Sequence, residues 1–191
     1  MDQNIVIELF GAITGLVYVY LEIVQRRTMW IVGGVSALIY IVVFFSSGLI
    51  AASFLQLCFF GMSIYGWIAW SRADDKNTPK VVKLKRNKLV TSIICSLICY
   101  VIISFLLVKF SSDPMPYIDS LITVLSLLAT YWVTGRHSEN WIVWIINNAI
   151  AIYLYASQAL YPTVLLYIVY LISSCIGYLH WLKLSAVSVK N

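Results

Sequence analysis

The chain has 191 residues, 61% of them hydrophobic and 11% charged, and its mean hydropathy of +0.88 belongs to membrane proteins rather than to soluble domains. A bilayer core about 30 Å thick takes roughly 20 helical residues at about 1.5 Å each, so this length holds seven spans and leaves no room for a separate soluble domain. A function that needs a folded catalytic module outside the membrane is excluded, as is a soluble nucleic-acid binder, despite the net charge of +5.

Long apolar stretches bounded by charged or turn residues predict helices over about 4–24, 30–46, 50–70, 89–110, 118–134, 141–157 and 161–182. The first has only Asp2 before it and runs too long for the apolar region of a cleaved signal peptide, so it reads as a mature transmembrane helix. On it, Glu8 shares a helix face with Gly11 and Gly15, a small-residue pair suited to close helix packing. Glu8 thus faces either the bundle or, from about one turn inside the span, the outer interface. Glu22 and Asp119 stand near span ends and read as solvated interfacial carboxylates. The third span carries the deep amide Gln56, which serves either a solute or a neighbouring helix. Cys58, Cys95, Cys99 and Cys175 all fall in apolar runs without metal-type spacing and read as small buried hydrophobes. Within the polar loop from Ser71 to Lys88, the basic run from Lys76 to Lys88 reads as a topology determinant rather than as an anionic lipid or nucleic-acid site. His137 falls in a loop and His180 near the inner end of the last span, neither with a second ligand at metal spacing, so no metal site is expected.

The sixth span gives the most chemistry. Trp141, Trp144 and Asn148 sit at i, i+3 and i+7, within about 60° of one another on a helix. A mid-membrane amide needs a hydrogen-bond partner, and indole faces stack aromatic or cationic rings, so the stripe suits a small heteroaromatic solute. Trp141 opens the span and fits an interfacial belt equally well. Asn147 points about 100° away from Asn148 and is suited to a bond between two helices. Ser-His-Asp, P-loop and Gly-rich dinucleotide patterns are absent, so an enzymatic reading has no nucleophile and base, and no cofactor is expected.

Seven spans put alternate loops on alternate sides. Twelve of the thirteen Lys and Arg residues then share one side and Lys109 alone lies on the other, which by the positive-inside rule sets the N-terminus outside and the C-terminus in the cytoplasm. A wrong span count would scramble that split.

The segment from Trp30 to Trp70 also lies over that from Trp141 to Trp181 without a gap, at a shift of 111 residues. The matched identities include Trp30/Trp141, Ser63/Ser174, Gly66/Gly177 and Trp70/Trp181. Gln56 falls opposite Tyr167. Adding the span before each pair gives two three-helix repeats, 4–70 and 118–182, joined by a linker helix over 89–110. One intervening span keeps the repeats parallel, with a solute site at their interface near the midplane. Two apolar hairpins with short Ser-containing turns would also look alike without such a plan.

Phe54-Leu55-Gln56-Leu57 leading to Tyr65-Gly66-Trp67-Ile68-Ala69-Trp70, and Glu139-Asn140-Trp141-Ile142-Val143-Trp144 with Asn148 after it, resemble the PnuC family of bacterial vitamin transporters over nearly the whole chain. The resemblance implies a SWEET-like 3+1+3 fold, usually a homotrimer, in the bacterial cytoplasmic membrane. It further implies facilitated diffusion of a vitamin that a cytosolic kinase then traps. By the same resemblance Trp141, Trp144, Asn148 and Gln56 are the substrate-binding residues. Nicotinamide riboside is the first expected substrate, with thiamine or riboflavin as alternatives in the family. A non-transporting membrane scaffold or sensor is the reading from another class, for which Gln56 and Asn148 would be spent on bonds between helices.

Overall fold

The computed structural model describes residues 3–48, 50–74, 81–111 and 114–189. They form seven helices: α1 (Gln3–Ile23), α2 (Met29–Ser46), α3 (Ile50–Asp74), α4 (Arg86–Phe110), α5 (Pro116–Thr134), α6 (Asn140–Ser157) and α7 (Tyr161–Val189). No strand occurs among the described residues, and Val82 and His137 form an isolated bridge. The fold is all-α, as expected. Helices α3, α4 and α7 run past the apolar stretches because neither Pro nor Gly interrupts their polar flanks. Of the residues in the charge split, Lys76, Lys80 and Lys190 lie outside the described set.

Among the described residues six helices are long and apolar enough to cross a membrane, and α6 is not one of them. Its 18 residues include Asn140, Asn147 and Asn148 beside Trp141 and Trp144. The helix that falls short of the apolar standard is therefore the one that carries the polar stripe.

The chain divides into two compact units, Met1–Pro79 and Lys80–Asn191. In the first, α1 packs on α2 and α2 on α3. Gly11 admits the ring of Tyr40, whose hydroxyl donates to the Ile7 carbonyl at 3.1 Å, so the small-residue face of α1 does receive a helix. Gly33 lies under Tyr18. Between α2 and α3, Trp30 meets Trp70 edge-on at 5.8 Å, and the missing side chain of Gly66 makes room for the Trp30 indole.

The second unit chains α4 to α5, α5 to α6 and α6 to α7. Trp132 donates its indole N–H to Ser92 Oγ at 3.1 Å, tying α5 to α4. Ile122, Ala151 and Leu154 form one buried cluster between α5 and α6, and Ala129, Trp132 and Val143 another. Between α6 and α7, Trp141 meets Trp181 edge-on at 5.6 Å and lies against Gly177, where an added Cβ would come within 2.5 Å of the indole.

Local features of the two units recur at the 111-residue shift. Helix α6 begins and ends 111 residues after α2, and α7 begins 111 residues after α3. The left-handed backbone positions are Gln25 at φ 53°, Gly48 at 75°, Arg136 at 54° and Ala159 at 57°, and the shift carries Gln25 onto Arg136 and Gly48 onto Ala159. Three of these are not glycine, a conformation that costs roughly 1–2 kcal/mol per residue. The tryptophan and glycine identities become the same contact twice: Trp30 on Gly66 and Trp70, Trp141 on Gly177 and Trp181. The match is not uniform. Tyr18 over Gly33 in the first unit corresponds by number to Ala129 and Trp144 in the second, so the aromatic comes from α1 in one unit and from α6 in the other.

Two expectations about exposure need correction, those for Glu22 and for the cysteines. Glu22 is not solvated but 1% exposed: the chain reverses one turn later through left-handed Gln25, and Trp30 meets Tyr18, one turn before Glu22, edge-on at 6.4 Å. His137 lies in the α5–α6 loop as expected and is buried there, its Nδ1 bonded to the Val82 carbonyl at 3.0 Å. Cys95, Cys99 and Cys175 are exposed and Cys58 is half-buried, because their helix faces are turned outward with the other apolar residues of α4 and α7. Apolar character marks a lipid-facing residue as readily as a core one.

Candidate solute site on helix 6

Helix α6 is held from two sides by adjacent asparagines. Asn147 donates its amide N–H to Ser126 Oγ on α5 at 3.1 Å, and Asn148 donates to Ser174 Oγ on α7, also at 3.1 Å. Ser174 in turn donates to the Tyr170 carbonyl at 2.8 Å. The bond between helices expected of Asn147 is therefore present, and Asn148 makes one as well.

These two bonds fix the rotation of α6. With about 100° per residue, Trp144 projects between the directions of Asn147 and Asn148, toward the cleft between α5 and α7. Its indole is half-buried against the cluster that holds Ala129 and Trp132. The indole N–H is shielded from solvent and makes no hydrogen bond to a described residue. Trp141 is different: it is 0% exposed, with its ring spent on Gly177 and Trp181. The stripe read from the sequence thus comprises a sealed anchor (Trp141), a half-open indole (Trp144) and an amide already engaged in one bond (Asn148).

Gln56 lies on α3 in the first unit, half-buried, and makes no hydrogen bond to any described residue. Tyr167, opposite it in the 111-residue shift, packs on Tyr155 at 5.1 Å and edge-on to Tyr170 at 5.7 Å, forming an aromatic patch between α6 and α7. Glu8 is exposed on α1. Among the described residues no group of three or more His, Cys, Asp or Glu is placed to hold a metal ion.

Sequence reasoning overlooked how α6 is set at its other end. The Val82 N–H donates to the Arg136 carbonyl at 3.0 Å. Glu139 Oε1 accepts the Leu84 N–H at 3.1 Å, and its Oε2 accepts from Ser138 Oγ at 3.2 Å. Residues 82–84 are thereby strapped across the α5–α6 turn, and a carboxylate sits at the positive end of α6. Gly135 is required there, since an added Cβ would meet His137 Nε2 at 2.5 Å. The available signal was Glu139 and His137 flanking a helix start, which spacing alone does not connect to residues some 55 positions earlier.

Comparison with known proteins shows which family the chain resembles and which fold it shares. Residues 5–183 match the family described as nicotinamide mononucleotide transporter. The nicotinamide riboside transporter PnuC of Escherichia coli (strain K12) is 27% identical over 204 residues, covering 93% of this chain and 85% of the relative. That of Haemophilus influenzae is 37% identical over 68 residues, 35% of this chain and 29% of the relative. A crystal structure of the vitamin B3 transporter PnuC superposes with a TM-score of 0.72 at 22% identity, covering 93% of this chain and 80% of that one.

Proposed function

The chain belongs to the nicotinamide mononucleotide transporter family, a family of transporters and not of enzymes, and on that premise we propose that it carries nicotinamide riboside across the bacterial cytoplasmic membrane by facilitated diffusion. A cytosolic kinase traps the vitamin by phosphorylating it. The names of the relatives support the substrate, and the observation that carries the reading is the half-open Trp144 indole, set between two hydrogen-bonded asparagines on α6. Trp144 stacks the cationic nicotinamide ring. Gln56 and Asn148 bind the polar edge, and Trp141 contributes by holding the stripe in place. None of the four is a cation, which suits a riboside better than its phosphorylated form.

The proposed architecture is SWEET-like: seven spans in a 3+1+3 plan of parallel repeats, with α6 as the seventh span and α4 as the linker, assembled as a homotrimer. The paired left-handed turns and the paired Trp-on-Gly contacts support the repeat. At about 27 Å, 18 helical residues are long enough for a thin or locally adapted bilayer. The N-terminus lies outside. Reporter fusions after Ser47, Pro114 and Gln158 should therefore report the outside, and fusions after Asp75 and Lys190, both outside the described residues, should report the cytoplasm. An inside signal at Pro114 would sink the seven-span plan.

Passive transport is the reading for a site whose proposed substrate-binding groups, Trp141, Trp144, Asn148 and Gln56, are indoles and amides that cannot titrate. In sealed proteoliposomes nicotinamide riboside should equilibrate without an imposed ion gradient, and trapped kinase with ATP should raise accumulation. Concentrative uptake driven by a proton or sodium gradient, with no kinase present, would refute the passive mechanism, and its loss in Glu8→Gln would assign the coupling to Glu8. Thiamine is the second reading, since its cationic thiazolium stacks on an indole as nicotinamide does. The Asn148 to Ser174 bond is what a non-transporting scaffold would make, whereas the unbonded Gln56 amide is what a solute carrier needs.

A further inference from the structure

The first unit carries a groove that the solute site does not use. It has a volume of about 420 Å³ and runs between α2, from Trp30 to Leu38, and α3, from Phe60 to Trp67, along roughly 12 Å of helix. It lies on the flank of α2 away from α1: α1 meets α2 at Gly33 and Tyr40, about a quarter turn or more from groove residues Gly34 and Leu38. Its walls are apolar, with Ile64 about half exposed along the rim. Gly34 opens the floor, since the nearest side-chain atoms to an added Cβ would be Ser63 Cβ at 3.5 Å and Phe60 at 3.8 Å.

One end of the groove is charged. The Arg27 guanidinium sits over the Trp67 ring at 5.1 Å from its centroid, so a cation is held at the mouth by an aromatic belt residue. Among the described residues Arg27 has no carboxylate partner. A guanidinium presents paired N–H donors that match a phosphate.

Two of the features that make the groove have no counterpart at the matched positions of the second unit. At the 111-residue shift Gly34 becomes Ile145 and Arg27 becomes Ser138, so the floor is filled and the cation is gone. The glycine floor and the arginine are thus particular to the first unit.

From this conjunction of apolar groove, open glycine floor and ring-mounted arginine we infer that the α2–α3 groove binds an anionic phospholipid, its acyl chain lying between α2 and α3 and its phosphate on Arg27. The site is independent of which vitamin is carried.

Native mass spectrometry of the purified full chain, titrated with phosphatidylglycerol and with phosphatidylcholine of the same acyl chains, tests it. The parent should retain phosphatidylglycerol at least threefold more than phosphatidylcholine. Arg27→Gln should abolish the preference, and Gly34→Ile, which installs the residue of the second unit, should cut retention of both lipids at least threefold. Ile64→Trp fills the groove from α3 and serves the same purpose if Gly34→Ile does not fold. Arg26→Gln removes an exposed neighbouring charge and should leave the preference in place. Equal retention of the two lipids by the parent overturns the inference, as does parent-like retention in both filled variants. An equal loss of preference in Arg26→Gln and Arg27→Gln, the mark of general charge attraction, would overturn it too.

Discussion

Replacing Gly177 by Ala is expected to lower the melting temperature of the detergent-purified protein by about 2–12 °C. A single methyl at this position meets the Trp141 indole at 2.5 Å, and the indole cannot retreat because its edge already lies against Trp181 at 5.6 Å. Overpacking of this kind costs typically ~1–3 kcal/mol, and each kcal/mol is worth roughly 2–4 °C in a chain of this size. Gly66→Ala, beneath Trp30, should behave alike. Gly61→Ala is the control: nothing lies within 4 Å of its added Cβ, and alanine is the better helix former by about 1 kcal/mol. A melting temperature for Gly177→Ala equal to that of Gly61→Ala would mean that the α6–α7 contact is not as described.

Trp144→Ala is expected to weaken vitamin binding about five- to 150-fold, because truncating an aromatic platform under a base costs ~1–3 kcal/mol. Trp144→Phe should retain most of the affinity. Gln56→Ala and Asn148→Ala should each lose a comparable ~1–3 kcal/mol by leaving a polar group of the solute unpaired. Asn148→Ala also breaks the bond to Ser174, so its melting temperature must be measured beside its affinity. Asn147→Ala breaks only the bond to Ser126, for which about 0.6 kcal/mol is the usual membrane value, and should matter less to binding than to stability. Isothermal titration with nicotinamide riboside checks the series. Folded Trp144→Ala and Gln56→Ala proteins that bind as tightly as the parent would move the site elsewhere.

Much of the fold was legible from the chain because helices in a bilayer satisfy their own backbone groups, and long apolar runs between polar punctuation are enough to place them. The tryptophans that bracket the 111-residue repeat were legible too, though only as pairs across it. Their actual partners, Trp30 with Trp70 and Trp141 with Trp181, lie within one unit. What could not be read was burial. Glu22, His137 and Trp141 are buried by residues that reach them through a reversal of the chain or a strap from 55 positions away, and the exposed cysteines of α4 and α7 have the same apolar neighbours in sequence as a core residue would. Periodicity gives the direction of a side chain on its helix and says nothing of what stands opposite. The rotation of α6 is the clearest case: the 100° between Asn147 and Asn148 was legible, but not that both bond a neighbouring helix, Asn147 through Ser126 and Asn148 through Ser174.

The exchange of bulk between Tyr18 over Gly33 and Trp144 near Ala129 bears on how two such units come to differ. Starting from identical copies, moving the aromatic ring from one helix to its neighbour takes two substitutions, and the intermediate holds either two rings or none. Two rings drive one into backbone, as the close approach of Tyr18 to Gly33 shows, while none leaves a void, which costs about 3–5 kcal/mol for a lost Phe or Trp. The two units therefore do not tolerate the same exchange: Gly33→Trp with Tyr18 kept is expected to overpack the α1–α2 contact, and Tyr18→Ala alone to leave a void there.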